Sequence, residues 1–501
     1  MNFSTSFPRL LLAFVLWTSC LAVVAQNRPQ TKDYTKRMGM KIDDNKYLQS
    51  PKKSQNIKYR GVLPSRKTLT QFMPTIFDQG ETGSCVGQSV GLVRTIMEAQ
   101  KRRLTTTASI DPYRFSPYYI YEQIKGKNDY DCQDGATIPD ALYLLKNKGA
   151  ALLSCMPNAC DANYTKCDAE AAQYKIEDFT ALFDVLQLPT ETKILKIKEA
   201  LAEGEQAVPI GMLLPRSFFS ATDEWRSAPG ESPENALGGH AMAIIGYDDT
   251  RYGGAFLIAN SWGAGWGNNG YTWGRYEDVA RFTRYAFQVF PAASVVPVPP
   301  GPGPSPAVSL KSDMSFQLSG TNAEMPVVLV PTSRGIDVTN DNANTDLITY
   351  QMTSPYSSGT RFKMAMNNSR QAYVYIIASD DVNRVTKLFP YQGELSQNVS
   401  AIVPPNSSVL LPAADQSFTM DTVTGTDYFL VLVSEKELNI EALSSAIKNG
   451  SGNFVKKVLD AIKTDMTPSS DITYQPTKVA FEVKGNPKGS IVPMLVRIVH
   501  K

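Results

Sequence analysis

Apolar positions along the chain follow two different regimes. As far as residue 291, helix-spaced and strand-like runs are mixed. The spacing predicts a helix after Ser84 (VGQSVGLVRTIMEAQ), another over 138–148, and strands over 208–213, 241–247 and 255–259. Beyond residue 307 short alternating or β-branched runs succeed one another at 327–331, 361–366, 372–377, 408–411, 428–433, 480–483 and 493–499, with turn-forming residues between them. One helical stretch, 440–463, interrupts them and is itself broken at Asn449-Gly450. The first regime predicts an α+β unit and the second a mainly β, sandwich-like unit.

Between the two lies Pro297–Pro306 (PVPPGPGPSP), whose prolines fix φ and remove backbone donors, so a stiff extended spacer is expected. Before the first regime, residues 27–60 show no apolar periodicity and carry ten Lys or Arg against three Asp. This pattern predicts an extended, poorly ordered, solvated leader. A nucleic-acid-binding arm is disfavoured because no aromatic pattern or basic helix accompanies the charge.

The N-terminus differs again. Arg9 precedes an apolar run from Leu10, and Ala22–Ala25 supplies small residues of the kind a signal peptidase accepts. The run is shorter than the roughly 20 apolar residues a membrane span needs. A lipid-modified Cys20 fits poorly, because Leu21–Val24 prolongs the apolar stretch. The expected organisation is therefore a signal peptide at 1–25, a basic leader at 26–62, an α+β domain at 63–293, a linker at 294–307 and a β-rich accessory domain at 308–501. Export to the periplasm, cell surface or exterior follows, with no transmembrane span.

Export sharpens the cysteine count. Without Cys20 five remain: Cys85, Cys132, Cys155, Cys160 and Cys167. An oxidising compartment pairs four and leaves one over. The last four form an even set with three possible pairings. Zinc is the other use for four thiolates, but no C-x-x-C pair occurs, and neither a metal nor a cofactor is expected.

Cys85 has the setting a reactive thiol needs. It stands in Asp78-Gln79-Gly80-Glu81-Thr82-Gly83-Ser84-Cys85-Val86, a glycine-bearing loop opening the predicted helix. Unpaired N–H groups at a helix N-terminus favour thiolate over thiol. Only two histidines exist, His240 and His500, so a neutral-pH base has almost no other candidate than His240, at the head of the apolar run 241–247. Asn260, in Asn260-Ser261-Trp262-Gly263, follows the predicted strand at 255–259 and is placed to orient an imidazole, with Trp262 shielding that bond.

Gln79 and Cys85, then His240, then Asn260-Ser261-Trp262, resemble the papain family of cysteine peptidases in order as well as type. His240 follows Cys85 by 155 residues, slightly beyond a family spacing of roughly 130 to 150. The resemblance implies a two-lobed domain, one lobe helical and the other β-barrel-like. It implies Cys85 as nucleophile paired with His240, Asn260 orienting the ring, Gln79 with the Cys85 N–H as oxyanion hole, and Ser84 and Trp262 in support. Protein or peptide substrates follow from it, and nucleic acid does not.

Two departures stand out. Thr82 and Val86 replace the family's upstream cysteine and following tryptophan. The leader is also too short for the family's long helical propeptide, so weak or differently supplied zymogen control is expected. The trailing segment, through Ala372–Ile377 and Leu388–Tyr391, resembles an uncharacterised bacterial module appended to exported enzymes, which implies a bacterial source and a surface- or partner-binding role. The competing reading is a papain-like fold that has lost activity and serves binding or adhesion. A purely structural secreted protein leaves the unpaired cysteine unexplained.

Overall fold

The structure is a computed structural model that describes residues 34–183, 186–292, 310–330, 347–380, 384–391, 399–412, 416–485 and 489–501. The expected signal peptide and the Pro-rich linker lie outside the described residues.

The helix expected after Ser84 spans Cys85–Arg102 and ends where Arg103 turns left-handed (φ 57°). Val86, Val90, Val93 and Ile96 are buried, and so are most of the polar positions between them. The helix is buried because it is central to its lobe: it packs on Pro117–Ile124 and Ile138–Asn147 on one side and on the long strand Gly238–Asp248 on the other. Ser89 Oγ donates to the Met242 carbonyl at 2.7 Å, tying helix to strand.

That strand is in the middle of an eight-stranded sheet. Its order is 176–181, 283–291, 208–214, 238–248, 255–259, 271–275, 224–225, with Arg66–Thr68 pairing the far half of 238–248. The two-lobed α+β arrangement is as expected. The sheet of the β lobe, however, runs open from 176–181 to 224–225 and does not close into a barrel among the described residues.

The trailing unit is a sandwich of two seven-stranded sheets. One has the order 57–59, 407–411, 361–368, 311–318, 479–483, 472–474, with 418–419 also pairing 361–368, and the other 327–330, 349–352, 491–500, 425–434, 372–379, 386–389, with 402–403 also pairing 372–379. Alternation sets the register: Phe316, Phe362, Met364 and Val431 point into the core between the sheets. The helices Ile440–Asn449 and Phe454–Ile462, separated where Asn449-Gly450 predicts a break, join a second apolar cluster that includes Tyr373, Leu430 and Leu432.

The first strand of the first sheet belongs to the leader, and here the sequence expectation fails. The leader is not a solvated tail. Tyr34–Arg37 forms a 3-10 turn, Asp44–Gln49 a short helix capped by Asp43, and Ile57–Tyr59 an edge strand of the sandwich. Tyr47 is fully buried against Tyr285 and Phe287. Lys52 and Lys53 are buried too, Lys52 donating to the Tyr47 carbonyl and Lys53 ion-paired with buried Glu203. A lone buried ammonium would be costly, and these pairings offset the cost.

Candidate active site

Cys85 is the first residue of its helix, with Ser84 as N-cap. Its sulfur accepts from the Ala241 N–H at 3.5 Å. The neighbouring strand places His240 next to that amide. His240 Nε2 is 2.8 Å from Asn260 Oδ1, which also accepts the Ser261 N–H at 2.8 Å and is thereby held in orientation. Trp262 lies against the imidazole with ring centroids 4.7 Å apart. A loop requiring a left-handed glycine makes this possible: at Gly263 (φ 78°) a Cβ would press on Asp78.

Gln79 joins the same cluster. Its Oε1 accepts from Ser261 Oγ at 2.6 Å and its main-chain N–H donates to the Ser261 carbonyl at 2.9 Å. All six expected site residues, Cys85, His240, Asn260, Gln79, Trp262 and Ser84, thus lie in or beside one seam between the helical and β lobes. His500 is remote, in the sandwich beside Asp427 and Ser358.

Where the family would have its upstream cysteine, Thr82 Oγ1 meets Ser84 Oγ at 2.9 Å and Tyr118 OH at 3.1 Å. Hydrogen bonds replace the covalent tie. The remaining four cysteines form Cys132–Cys160 and Cys155–Cys167, and Cys85 is free.

The leader, expected to be a solvated tail, runs through this seam. The Ala136 N–H donates to the Gly39 carbonyl at 2.8 Å, the Lys41 N–H to the Ala136 carbonyl at 2.8 Å and the Met40 N–H to the Gly239 carbonyl at 3.1 Å. Gln79 Nε2 donates to the Arg37 carbonyl at 3.0 Å. Arg37 itself pairs with Asp78 at 2.5 Å, and Tyr34 stacks on Trp262 at 4.6 Å. Gly39 passes so close to the loop before Cys85 that a Cβ on it would overlap the Gly83 carbonyl. The Met40 side chain is buried over Gly211 and Gly239, where side chains would displace it. Sequence reasoning missed Tyr34, Arg37, Gly39 and Met40. The only trace was Met38-Gly39-Met40, a short apolar interruption in a polar stretch.

Coverage by the leader sets the electrostatics. Cys85 and His240 have no exposed surface. Burial pushes the Cys85 thiol up to about 11, only partly opposed by the main-chain N–H groups of Ala241, Gly39 and Val86. Burial also pulls His240 down to about 4, against the hydrogen bonds its ring donates to Asn260 Oδ1 and the Arg37 carbonyl. Burial thus works against the charged form of each partner in the expected thiolate–imidazolium pair. With the leader in place, water-free surroundings oppose the helix N-terminus and favour the neutral thiol and the neutral imidazole.

Residues 64–283 match the model of the papain family of cysteine proteases, and residues 355–437 match a domain family of unknown function. An uncharacterised peptidase C1-like protein of Acanthamoeba polyphaga mimivirus is 27% identical over 262 residues, covering 47% of this chain and 77% of the viral protein. A cathepsin B-like protein, CP2, of Giardia intestinalis is 25% identical over 218 residues, covering 41% of this chain and 65% of its own, just under two thirds. These relatives are viral and protozoan, and the expected bacterial source has no support from them. Among solved structures, xylellain, a cysteine protease from Xylella fastidiosa, aligns at 20% identity with a TM-score of 0.40, over 51% of this chain and 97% of that one. Procathepsin B S9 from Trypanosoma congolense aligns at 16% identity with a TM-score of 0.40, over 56% and 98%. No helix among the described residues is long and apolar enough to cross a membrane. By family model and relatives together, residues 64–283 of this chain are similar to the papain family of cysteine proteases.

Proposed function

We propose that the chain is an exported cysteine peptidase whose leader holds it latent. Cys85 attacks the scissile carbonyl, His240 takes and returns the proton, and Asn260 keeps the ring in place. The Gln79 side-chain amide and the Cys85 N–H hold the oxyanion, and water hydrolyses the thioester acyl-enzyme. The observation that carries this reading is the 2.8 Å His240–Asn260 contact beside a free cysteine at a helix N-terminus. The two disulfides fit an oxidising compartment.

Latency rests on the main-chain bonds of Gly39, Met40 and Lys41 across the seam. Once the leader departs, water returns to the site, the thiol pKa falls and the imidazole pKa rises. The reactive ion pair then becomes accessible.

The test is to free the peptidase of its leader by limited proteolysis before Leu63. Labelling with an epoxide or iodoacetamide at pH 5 to 6 and a casein digestion follow. Selective labelling of Cys85, with digestion that the probe blocks and Cys85→Ala abolishes, is the expected result. A leader-free protein with an inert Cys85 and no digestion overturns the reading.

A further inference from the structure

The leader bonds to both units: Asp44, Tyr47 and Lys53 are held by the peptidase, and the residues after Lys53 by the sandwich. Across the seam its main chain bonds through Arg37, Gly39, Met40 and Lys41, and beyond the seam Pro51 and Lys53 each bond to Ala181 of the peptidase. From Lys52 onward it also bonds to the sandwich. The Ser400 N–H donates to the Lys52 carbonyl at 2.9 Å and the Leu410 N–H to the Asn56 carbonyl at 3.0 Å. The Arg60 N–H donates to the Asn406 carbonyl at 3.0 Å. Between them Ile57, Lys58 and Tyr59 pair antiparallel with Val409, Ser408 and Ser407. Ile57 is buried in the sandwich core itself. At Lys52 the two units are strapped together, since Lys52 bridges to Ala181 on one side and Val399 on the other.

Immediately after this strand the chain changes character. Arg60, Gly61 and Val62 are exposed and in no regular element, and Val62 is 94% exposed. This is the connection to the peptidase that a processing endopeptidase can reach. Hydrolysis there separates the leader from residues 63 onward but leaves it paired to the sandwich.

We infer that the C-terminal sandwich is the leader's holder: its Ser407–Leu411 edge takes Ile57–Tyr59 as a strand and keeps the cleft segment in place after the chain is cut at residues 60–62. The inference rests on the peptidase reading for its consequence, latency, but the holding itself does not depend on that reading. Strand addition to a sheet edge draws its affinity from main-chain bonds and its register from alternate side chains, here Ile57 and Tyr59. A leader held at residues 57–59 presents Gly39–Lys41 to the cleft as a tethered ligand, so modest cleft affinity is enough. Cutting alone therefore does not activate; release needs the strand to leave the sheet as well. The sandwich thereby gains a role specific to its own edge, and the vacated edge is fitted to an extended peptide.

The experiment uses the full chain with residues 61–62 replaced by a site-specific protease's recognition sequence. Lys58→Pro removes a strand N–H without disturbing a buried side chain, because Lys58 is exposed. Lys58→Ala is the control, and Ile57→Ala is a second way to weaken the strand. After cutting, leader retention is read by co-elution in size-exclusion chromatography, and cleft occupancy by the rate of iodoacetamide labelling at Cys85. The expected result is that the native strand and Lys58→Ala retain the leader and label slowly, while Lys58→Pro and Ile57→Ala lose it and label at least about tenfold faster. Loss of the leader from the native strand on cutting, or its equal retention in both weakened strands, overturns the inference. Absence of casein digestion in the released samples would remove the peptidase reading, and co-elution would still decide the holder.

Discussion

The side-chain amide of Gln79 donates to the main-chain carbonyl of Arg37 at 3.0 Å, so the group proposed to hold an oxyanion already holds a carbonyl of the chain's own leader. Gln79 Nε2 also donates to the Thr82 carbonyl at 2.7 Å, and Oε1 is taken by Ser261 Oγ. The amide is fixed in direction from both ends. It is preorganised for an acceptor at the Arg37 position, and a substrate can claim it only by displacing the leader.

Displacement has a single-atom test at Gly39. A methyl group there meets the Gly83 main chain, which cannot swing aside as a flexible side chain would. Overpacking of this kind costs about 1 to 3 kcal/mol. Because the strain exists only when the leader is docked, Gly39→Ala is expected to open the cleft and leave both units folded. Iodoacetamide labelling of Cys85 in the uncut chain should rise by about tenfold or more with the melting temperature of the sandwich unchanged. An unchanged labelling rate would show that the cleft segment does not limit access.

Arg37→Ala acts on the same equilibrium through charge. The Arg37 guanidinium is buried, while its partner Asp78 is 42% exposed, so the loss is smaller than for a fully buried pair. About 1 kcal/mol of leader docking, or roughly fivefold in labelling rate, is expected. The effect should shrink in high salt, whereas that of Gly39→Ala should not.

Acid has a narrower reach than the buried pair suggests. A thiol with a neutral imidazole and a thiolate with an imidazolium hold the same single proton. Exchanging one pair for the other as the leader leaves takes up none, and by linkage the Cys85–His240 pair gives docking no pH slope while both forms persist. Asp44 of the leader does respond. A hydrogen bond from Arg284 holds its carboxyl below the usual 3.8, with Tyr285 assisting and burial opposing. A depressed pKa in the docked state contributes stability present above 3.8 and lost as pH falls through the lowered value. Cys85 should therefore stay protected when the intact chain is held at pH 5, and protection should weaken only below pH 3.8. Release at pH 5 would point to another titrating group.

What could be read in the sequence was what side chains specify. Val86, Val90, Val93 and Ile96 repeat at helical spacing behind Cys85, and the apolar run after His240 marks its strand. The open edge of the β lobe was not legible, because closure depends on which distant strands pair and not on any one strand's pattern. The leader was misread for a related reason. Gly39, Met40 and Lys41 dock through main-chain groups that every residue carries. Lys52 and Lys53 are buried although lysine ordinarily reads as solvated, and three residues at 57–59 are too few to show alternation.

The last prediction separates the oxyanion role of Gln79 from its role in holding the leader. Gln79→Ala removes the donor to Arg37 and the acceptor for Ser261, so in the uncut chain it should loosen the leader and speed labelling of Cys85. In the leader-free enzyme the same change acts on the transition state. Loss of one oxyanion donor lowers kcat by about 100- to 1000-fold. Ground-state binding changes little, because the donor is aimed at a developing charge, and KM should hold within about threefold. One substitution thus raises access to the thiol and lowers turnover. A purely structural Gln79, acting only by supporting the loop 78–83, would instead lower both together, and parallel measurement of labelling rate and kcat on Gln79→Ala tells the two apart.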